Sequence, residues 1–213
     1  MITASKLVSV GFLSIGIVVL MQVILPVASF QVWDFGQKLN NKNLISPIRS
    51  KEQILGVSVQ NKDNFPVLVS DVRRLTTPDY SEFQITIPRL KMEEATVYVD
   101  NNDLSKGLIQ LPGSALPGEK GNLFISGHSA ISHFLTGQRV PFVKLFDLKK
   151  GDEILVKAGG AKFLYKVVET KVVDPSDLSV IPAPDERGRY ISLMTCVPPG
   201  LNFKRLVVLG KML

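Results

Sequence analysis

An unbroken run of uncharged residues, from Leu7 to Phe30, constrains the fold of this 213-residue chain more than any other feature. A helix over that run would be about 36 Å long at ~1.5 Å per residue, which exceeds a bilayer hydrocarbon core of ~30 Å. Trp33 follows at a position suited to the membrane interface. The run therefore predicts a transmembrane helix over residues 7–30, preceded by a short N-terminus over residues 1–6.

The charges that flank this run predict the orientation of the helix. Lys6 precedes it, and Asp34 is the first charged residue after it. Because positive charge favours the cytoplasmic side, we expect a single-pass protein of the cell membrane with a cytoplasmic N-terminus and an extracellular remainder. The alternative is a signal peptide cleaved after Val27-Ala28-Ser29, although the apolar region of such a peptide usually has only ~7–15 residues.

The remaining composition argues against several classes of function. The chain carries 25 Lys+Arg against 19 Asp+Glu, a net charge of +6, but the two signs are interspersed. We therefore expect a mildly basic, solvated surface and no nucleic-acid binding. A single cysteine excludes an intrachain disulfide, and one cysteine with two histidines leaves too few ligands for a typical zinc site. We expect neither a metal nor a cofactor.

After the helix, the sequence divides into a polar stretch and a β-rich region. Residues 31–82 are mixed in character, with one short strand predicted at Pro66–Ser70, and are expected to form an extracellular stalk. From residue 83 onward, short apolar runs alternate with Gly- and Pro-containing turns, a pattern typical of an antiparallel barrel or sandwich. Ala130–Leu148 is the main helix candidate. The strands are predicted at Phe83–Pro88, Ala95–Val99, Asn122–Gly127, Glu153–Lys157, Lys162–Val173, Arg189–Thr195 and Lys204–Leu209.

Three residues that could together perform acyl transfer fall at predicted strand ends. Cys196 and His128 each follow a strand, and Arg205 opens the last strand after a Pro-Pro-Gly turn, so that a hairpin would bring it beside Cys196. A thiol needs a base at neutral pH, an imidazole can take and return its proton, and a guanidinium can stabilise an oxyanion. His133 is the competing base, and a buried, inert thiol is the alternative interpretation of Cys196.

Several segments resemble the sortases, the cysteine transpeptidases of bacterial cell surfaces, in the usual order of that family. The resemblance implies that residues 83–213 form an eight-stranded β-barrel with short helices. It departs from the family at Gln110, where many members have histidine, and at Ser192, where the signature begins with threonine. The resembling segments are Ile85–Leu90 (ITIPRL), Gly113–Asn122 (GSALPGEKGN), Ile125–His128 (ISGH), Phe146–Asp152 (FDLKKGD), Ser192–Cys196 (SLMTC) and Pro198–Leu206 (PPGLNFKRL).

The same resemblance implies an activity and a role for each of the three residues. Cys196 would be the nucleophile, His128 the general acid/base, and Arg205 the partner of the substrate carbonyl or oxyanion. Sortases cleave a C-terminal sorting signal, commonly Leu-Pro-X-Thr-Gly, on secreted proteins. They hold the acyl group as a thioester and transfer it to an amine of a cell-wall peptide or of a pilin lysine. The thioester retains the energy of the peptide bond, so no cofactor is implied.

The subclass and two alternative functions stay open at this stage. The segment from Cys196 to Arg205 resembles that of the pilin-polymerising class C, whereas residues 31–83 lack the Asp-Pro-aromatic lid motif of that class. No second membrane span is expected before Leu213. The fold could instead serve as a non-catalytic, tethered peptide-binding module or as a secreted thiol hydrolase. Peptide specificity is expected to depend on residues 130–145 and 174–188.

Overall fold

The computed structural model divides the chain into two compact units, Met1–Ser46 and Pro47–Leu213. The residues that the structure describes are 12–18, 20–21, 24–25, 28, 31–32, 35, 57–62, 65–70, 78–129, 142–199 and 203–213. In the first unit, the described residues are helical and exposed, and they include large apolar side chains such as Phe12 and Leu13. Within the described ranges, no helix is both long enough and apolar enough to cross a bilayer. Half of the predicted transmembrane segment, and Trp33, lie outside those ranges.

The second unit is built around an eight-stranded barrel that closes on itself. Strands β3 to β10 follow the order β10-β8-β7-β3-β4-β5-β6-β9 around the barrel, and β9 then pairs with β10. Neighbours are antiparallel except for the parallel pairs β4–β5 and β6–β9. This arrangement confirms the predicted mainly β fold with an eight-stranded barrel. In the described part of the chain the strands are β1 (Val57–Lys62), β2 (Phe65–Ser70), β3 (Glu82–Ile87), β4 (Met92–Tyr98), β5 (Leu108–Gln110), β6 (Gly121–Ser126), β7 (Glu153–Ala158), β8 (Ala161–Val173), β9 (Arg189–Val197) and β10 (Lys204–Met212).

The β7–β8 hairpin shows how local sequence builds this barrel. Its turn contains Gly159 and Gly160, whose φ angles are +54° and +79°. A two-residue hairpin turn that matches the right-handed twist of its strands needs positive φ at both positions, and glycine adopts such angles without steric cost. Along β7, the buried Ile154, Val156 and Ala158 alternate with more exposed residues, as expected when one side of a strand faces the core.

The strands predicted from residue 83 onward are all present, whereas two others were not predicted. β1 is largely polar and lies in the range expected to form a stalk, and β5 has only three residues. Of the helix candidate Ala130–Leu148, the described residues 142–148 contain one 3-10 turn, Leu145–Asp147, and residues 130–141 lie outside the described ranges. The compact unit begins at Pro47, and the predicted domain bounds stay predictions.

Strands β6, β9 and β10 lie side by side, and each contributes residues alternately to the inside and the outside of the barrel. The inward residues are aliphatic and fully buried: Leu123, Ile125, Ile191, Leu193, Leu206 and Val208. We call the other side of these three strands the outer face. It carries a second apolar cluster. The three strands contribute Phe124, Met194 and Val207, and the other members are Leu111 after β5, Val57 and Leu68 of the β1–β2 hairpin, and Leu178 and Ile181 of the β8–β9 connection.

Candidate active site

Cys196 and Arg205 are direct neighbours across the β9–β10 ladder. The antiparallel register places Arg205 opposite Cys196 and Val207 opposite Met194. Opposed residues of an antiparallel pair have Cα atoms about 4.5–5.5 Å apart and point to the same side of the sheet. The thiol and the guanidinium therefore leave adjacent strands in the same direction, on the outer face.

His128 reaches the same level on the other side of Cys196. Strand β6 runs parallel to β9, with Ser126 opposite Met194. The backbone N–H of Gly127 donates to the carbonyl of Met194 at 3.1 Å, so the contact between the strands continues past the last paired residue. Two steps beyond Ser126 and Met194 lie His128 and Cys196. The parallel register thus brings the backbone of His128 to the level of Cys196.

Thr195 strengthens this junction from the inner side. Its hydroxyl, buried in the structure, donates to the carbonyl oxygen of Gly127 at 2.8 Å. This bond ties the residue before Cys196 to the residue before His128. A Cβ on Gly127 would come within 2.5 Å of Leu108 and 2.8 Å of Phe142, so only glycine fits the packing at this point. We call His128, Cys196 and Arg205, which lie side by side on the outer face, the triad row.

Burial of the side chains increases along the triad row from His128 to Arg205. His128 is exposed, Cys196 is half-buried, and Arg205 is only 5% exposed. The Nη1 of Arg205 donates to the carbonyl oxygen of Lys204 at 3.2 Å, which holds the guanidinium close to the start of β10. Cys196 thus lies between an exposed residue on β6 and a buried cation on β10.

Burial keeps both the thiol and the imidazole neutral near pH 7. It raises the pKa of Cys196, and the positive charge of Arg205 lowers that pKa in part. Partial desolvation by neighbouring atoms lowers the pKa of His128, although the residue is exposed. A neutral imidazole can accept a proton, and a neutral thiol can give one, so the pair is poised for proton transfer.

The other candidate residues of the sequence do not join this row in the described structure. His133 lies outside the described residues. Gln110, which replaces a common family histidine, is fully buried and holds the following turn: its Nε2 donates to Leu111 and Ser114, and its Oε1 accepts from Asp100. Among described residues, no group of three His, Cys, Asp or Glu side chains could hold a metal ion.

Sequence reasoning missed two polar residues of the outer face, Asn122 and Ser192. Both are almost fully buried, and the amide of Asn122 donates to the hydroxyl of Ser192 at 2.9 Å. An asparagine within the apolar run Asn122–Gly127 was the available signal, because a buried amide must find hydrogen-bond partners.

Comparisons with known proteins match the barrel region to one family. The sortase domain family matches residues 85–213, more than half of the chain. Sortase D of Bacillus subtilis (strain 168) is 33% identical over 131 residues, which cover 60% of this chain and 61% of that relative. The solved sortase A from Corynebacterium diphtheriae shows 32% identity and a TM-score of 0.55, covering 63% of this chain and 61% of that one. A pilus-related sortase C of Group B Streptococcus shows 27% identity and a TM-score of 0.56, covering 64% and 69%.

The closed barrel and the family match together define the class of this protein: the chain belongs to the sortase family. It spans 61% of the length of the Bacillus subtilis relative.

Proposed function

We propose that this chain is a membrane-anchored sortase that cleaves a C-terminal sorting signal through a thioester on Cys196 and passes the acyl group to an amine. The observation that supports the proposal is the register of three adjacent strands, which brings His128, Cys196 and Arg205 to the same level of the outer face. Family membership supports the same reaction class.

The first half of the reaction is acylation of the sulfur. His128 takes the proton of Cys196, and the thiolate attacks the carbonyl carbon of the residue at the cleavage point, threonine in a Leu-Pro-X-Thr-Gly signal. Arg205 donates hydrogen bonds to the oxyanion that develops on that carbonyl. When the C–N bond breaks, the imidazolium of His128 gives its proton to the leaving glycine amine, and a thioester remains on Cys196.

The second half reverses these steps with a new amine. The incoming amine attacks the thioester carbonyl and gives a proton to His128, and the C–S bond breaks as the imidazolium returns that proton to the sulfur of Cys196. Acyl transfer to an amine forms a peptide or isopeptide bond, so no external energy source is needed. The acceptor is a cell-wall peptide or a pilin lysine, and the similarity to a pilus-related sortase C supports the second possibility.

The N-terminal segment provides the membrane anchor in this proposal. The uncharged run Leu7–Phe30 is long enough to span a bilayer. The described helical residues within it expose large apolar side chains, Ile15, Ile17 and Leu20 among them, which an apolar surrounding medium would cover. The cytoplasmic N-terminus and the extracellular catalytic unit follow from Lys6 preceding the run.

The decisive experiment incubates the full chain in detergent with a peptide that contains Leu-Pro-X-Thr-Gly and follows it by mass spectrometry. We expect an acyl adduct on Cys196, the only cysteine of the chain, and a ligated product when a glycine peptide is added. Cys196→Ala should lose at least about a thousandfold in turnover. Binding without an adduct would indicate the peptide-binding module, and a product that added amines never change would indicate the thiol hydrolase.

A further inference from the structure

The side-chain amide of Asn122 links the barrel to the connection between β8 and β9. Its Nδ2 donates to the carbonyl oxygen of Ile181 at 2.9 Å, approaches that of Val180 at 3.4 Å, and donates to the hydroxyl of Ser192 at 2.9 Å. Asn122 is 5% exposed and Ser192 is 1% exposed. A buried hydrogen bond of this kind is costly to break, because the carbonyl that loses its donor cannot turn to water.

We call residues 174–188, which join β8 to β9, the β8–β9 loop. Its two ends are tied to the barrel independently of Asn122. Lys204 Nζ donates to Asp174 at 2.6 Å near the start of the loop, and the N–H of Gly121 donates to the carbonyl of Gly188 at 3.0 Å near its end. The middle of the loop consists of the 3-10 turn Leu178–Val180 and Ile181. Among the described contacts, the barrel side chain that donates hydrogen bonds to it is Asn122.

The middle of this loop lies against the part of the outer face that adjoins the triad row. Leu178 and Ile181 belong to the same apolar cluster as Met194 and Val207. Met194 is two residues before Cys196, Val207 is two residues after Arg205, and the two face each other across the ladder. The middle of the loop therefore packs on the outer face two residues away from Cys196 and Arg205.

We propose that Asn122 is a positioning residue that fixes the β8–β9 loop as a wall of the peptide-binding surface and so determines how tightly the substrate peptide binds. This inference rests on the proposed function for its substrate. It assigns Asn122 no part in the chemical step, because the amide contacts the loop and Ser192 rather than any member of the triad row.

Two substitutions at Asn122 and one at its partner test the proposal in the full chain. Asn122→Ala removes all three hydrogen bonds, and Asn122→Asp directs carboxylate oxygens at two carbonyl oxygens. Ser192→Ala is the matched control, because it removes the bond between strands and leaves the bonds to the loop. The measurement is kcat and KM for the Leu-Pro-X-Thr-Gly peptide, with the concentration of folded enzyme taken from circular dichroism.

We expect KM to rise about three- to tenfold in both Asn122 variants, which corresponds to the loss of one to two net hydrogen bonds. In the same variants kcat and the rate of iodoacetamide labelling should stay within about twofold of wild type, and Ser192→Ala should leave KM unchanged. A purely structural role would lower the folded fraction and leave KM alone. An unchanged KM in the Asn122 variants, or an equal rise in Ser192→Ala, would overturn the proposal.

Hydrogen exchange of the same variants tests the loop contact without any activity. Amides of residues 178–181 should exchange at least about tenfold faster in Asn122→Ala than in Ser192→Ala, while those of β9 keep their protection. If wild type cleaves no peptide, the proposed function fails and the role in peptide binding fails with it. Faster exchange confined to the loop would still establish Asn122 as its anchor, whereas unchanged exchange would remove that as well.

Discussion

The two sides of strands β6, β9 and β10 have the same backbone and opposite chemistry. The inner side presents aliphatic residues such as Leu193 and Leu206, which are fully buried. The outer face presents His128, Cys196 and Arg205 at one end. Because side chains alternate along a strand, Cys196 and Arg205 each have a sequence neighbour in the core, Val197 and Leu206.

This difference shows how the fold separates rigidity from reactivity. The inner side stabilises the barrel through close packing, so the ladder geometry is fixed before any substrate arrives. The residues of the triad row lie outside the barrel core. Packing in the core therefore does not require them to be apolar, and they can carry charged or proton-binding groups. Substitutions on the two sides should therefore have separable effects, on stability and on turnover.

Replacing the exposed imidazole should have the largest effect on turnover. His128→Gln removes the proposed general acid/base, and we expect kcat/KM to fall about 10²- to 10⁴-fold. Because His128 is exposed, the free energy of unfolding should change by less than about 0.5 kcal/mol. Peptide cleavage and denaturant unfolding measure the two quantities. His133→Gln is the matched control, and a greater loss of activity in that control would transfer the role to His133.

Replacing a core residue beside the triad row should have the opposite profile. Leu193→Ala removes a fully buried side chain of β9, and we expect a loss of about 2–5 kcal/mol in the free energy of unfolding. Turnover per folded molecule, with the folded fraction taken from the unfolding curve, should stay close to wild type at a temperature where the variant is folded. A tenfold fall in that turnover would show that the inner side also controls the chemistry.

Removing the buried cation should affect both the oxyanion and the thiol. Arg205→Met is expected to lower kcat/KM about 10²- to 10³-fold. Since the charge of Arg205 lowers the pKa of Cys196, that pKa should be higher in Arg205→Met than in wild type. The rate of iodoacetamide labelling should therefore increase at a higher pH than in wild type. Arg205→Lys keeps a charge and should retain a labelling profile close to wild type. Identical profiles in all three proteins would contradict the electrostatic contact.

The directions of the two pKa shifts predict a broad pH profile for kcat/KM. Below the lowered pKa of His128 the imidazole is protonated and cannot accept the thiol proton, so the acid limb should lie below pH 6.5, its ordinary pKa. Above the raised pKa of Cys196 the pair holds no proton for the leaving amine, so the alkaline limb should lie above pH 9.0. Each limb should fall about tenfold per pH unit. A profile narrower than this interval would contradict the assignment.

The smallest effect is expected at the β1–β2 hairpin, which covers part of the outer face. The side chain of Asn102 accepts from the N–H of Ser70 at 3.2 Å and donates to its carbonyl at 3.0 Å. Asn102→Ala should lower the free energy of unfolding by about 1 kcal/mol and speed hydrogen exchange in β2. Asn101→Ala, the adjacent asparagine, serves as the control. Unchanged exchange in β2 would show that packing alone holds the hairpin.

The barrel strands could be predicted from sequence where local signals are strong. Alternation and a Gly-Gly turn gave β7 and β8, and the short connection across Pro198 predicted that Cys196 and Arg205 would be neighbours. β5 was missed because three residues show no periodicity. β1 was missed because its polar residues outnumber its apolar ones, and its burial depends on a surface built by distant parts of the chain.

The pairing of His128 with Cys196 could not be derived from local pattern at all. It depends on the parallel ladder between β6 and β9, which are separated by two other strands in the sequence. Parallel pairing of distant strands leaves no turn signal, so the sequence pointed to this histidine only through its place at a predicted strand end and through the family resemblance. The contacts of Asn122 with Ile181 were likewise beyond prediction, because they join a strand to a loop of irregular structure.

Parallel strands end at the same edge, and this has an evolutionary consequence for the enzyme. His128 and Cys196 lie at the same level because β6 and β9 run in the same direction. The length of the chain between the two strands does not set this level. The loops that follow β6 and precede β9 can therefore change in length or sequence during evolution while His128 and Cys196 stay at the same level. Such a barrel can acquire new substrates by altering its loops alone.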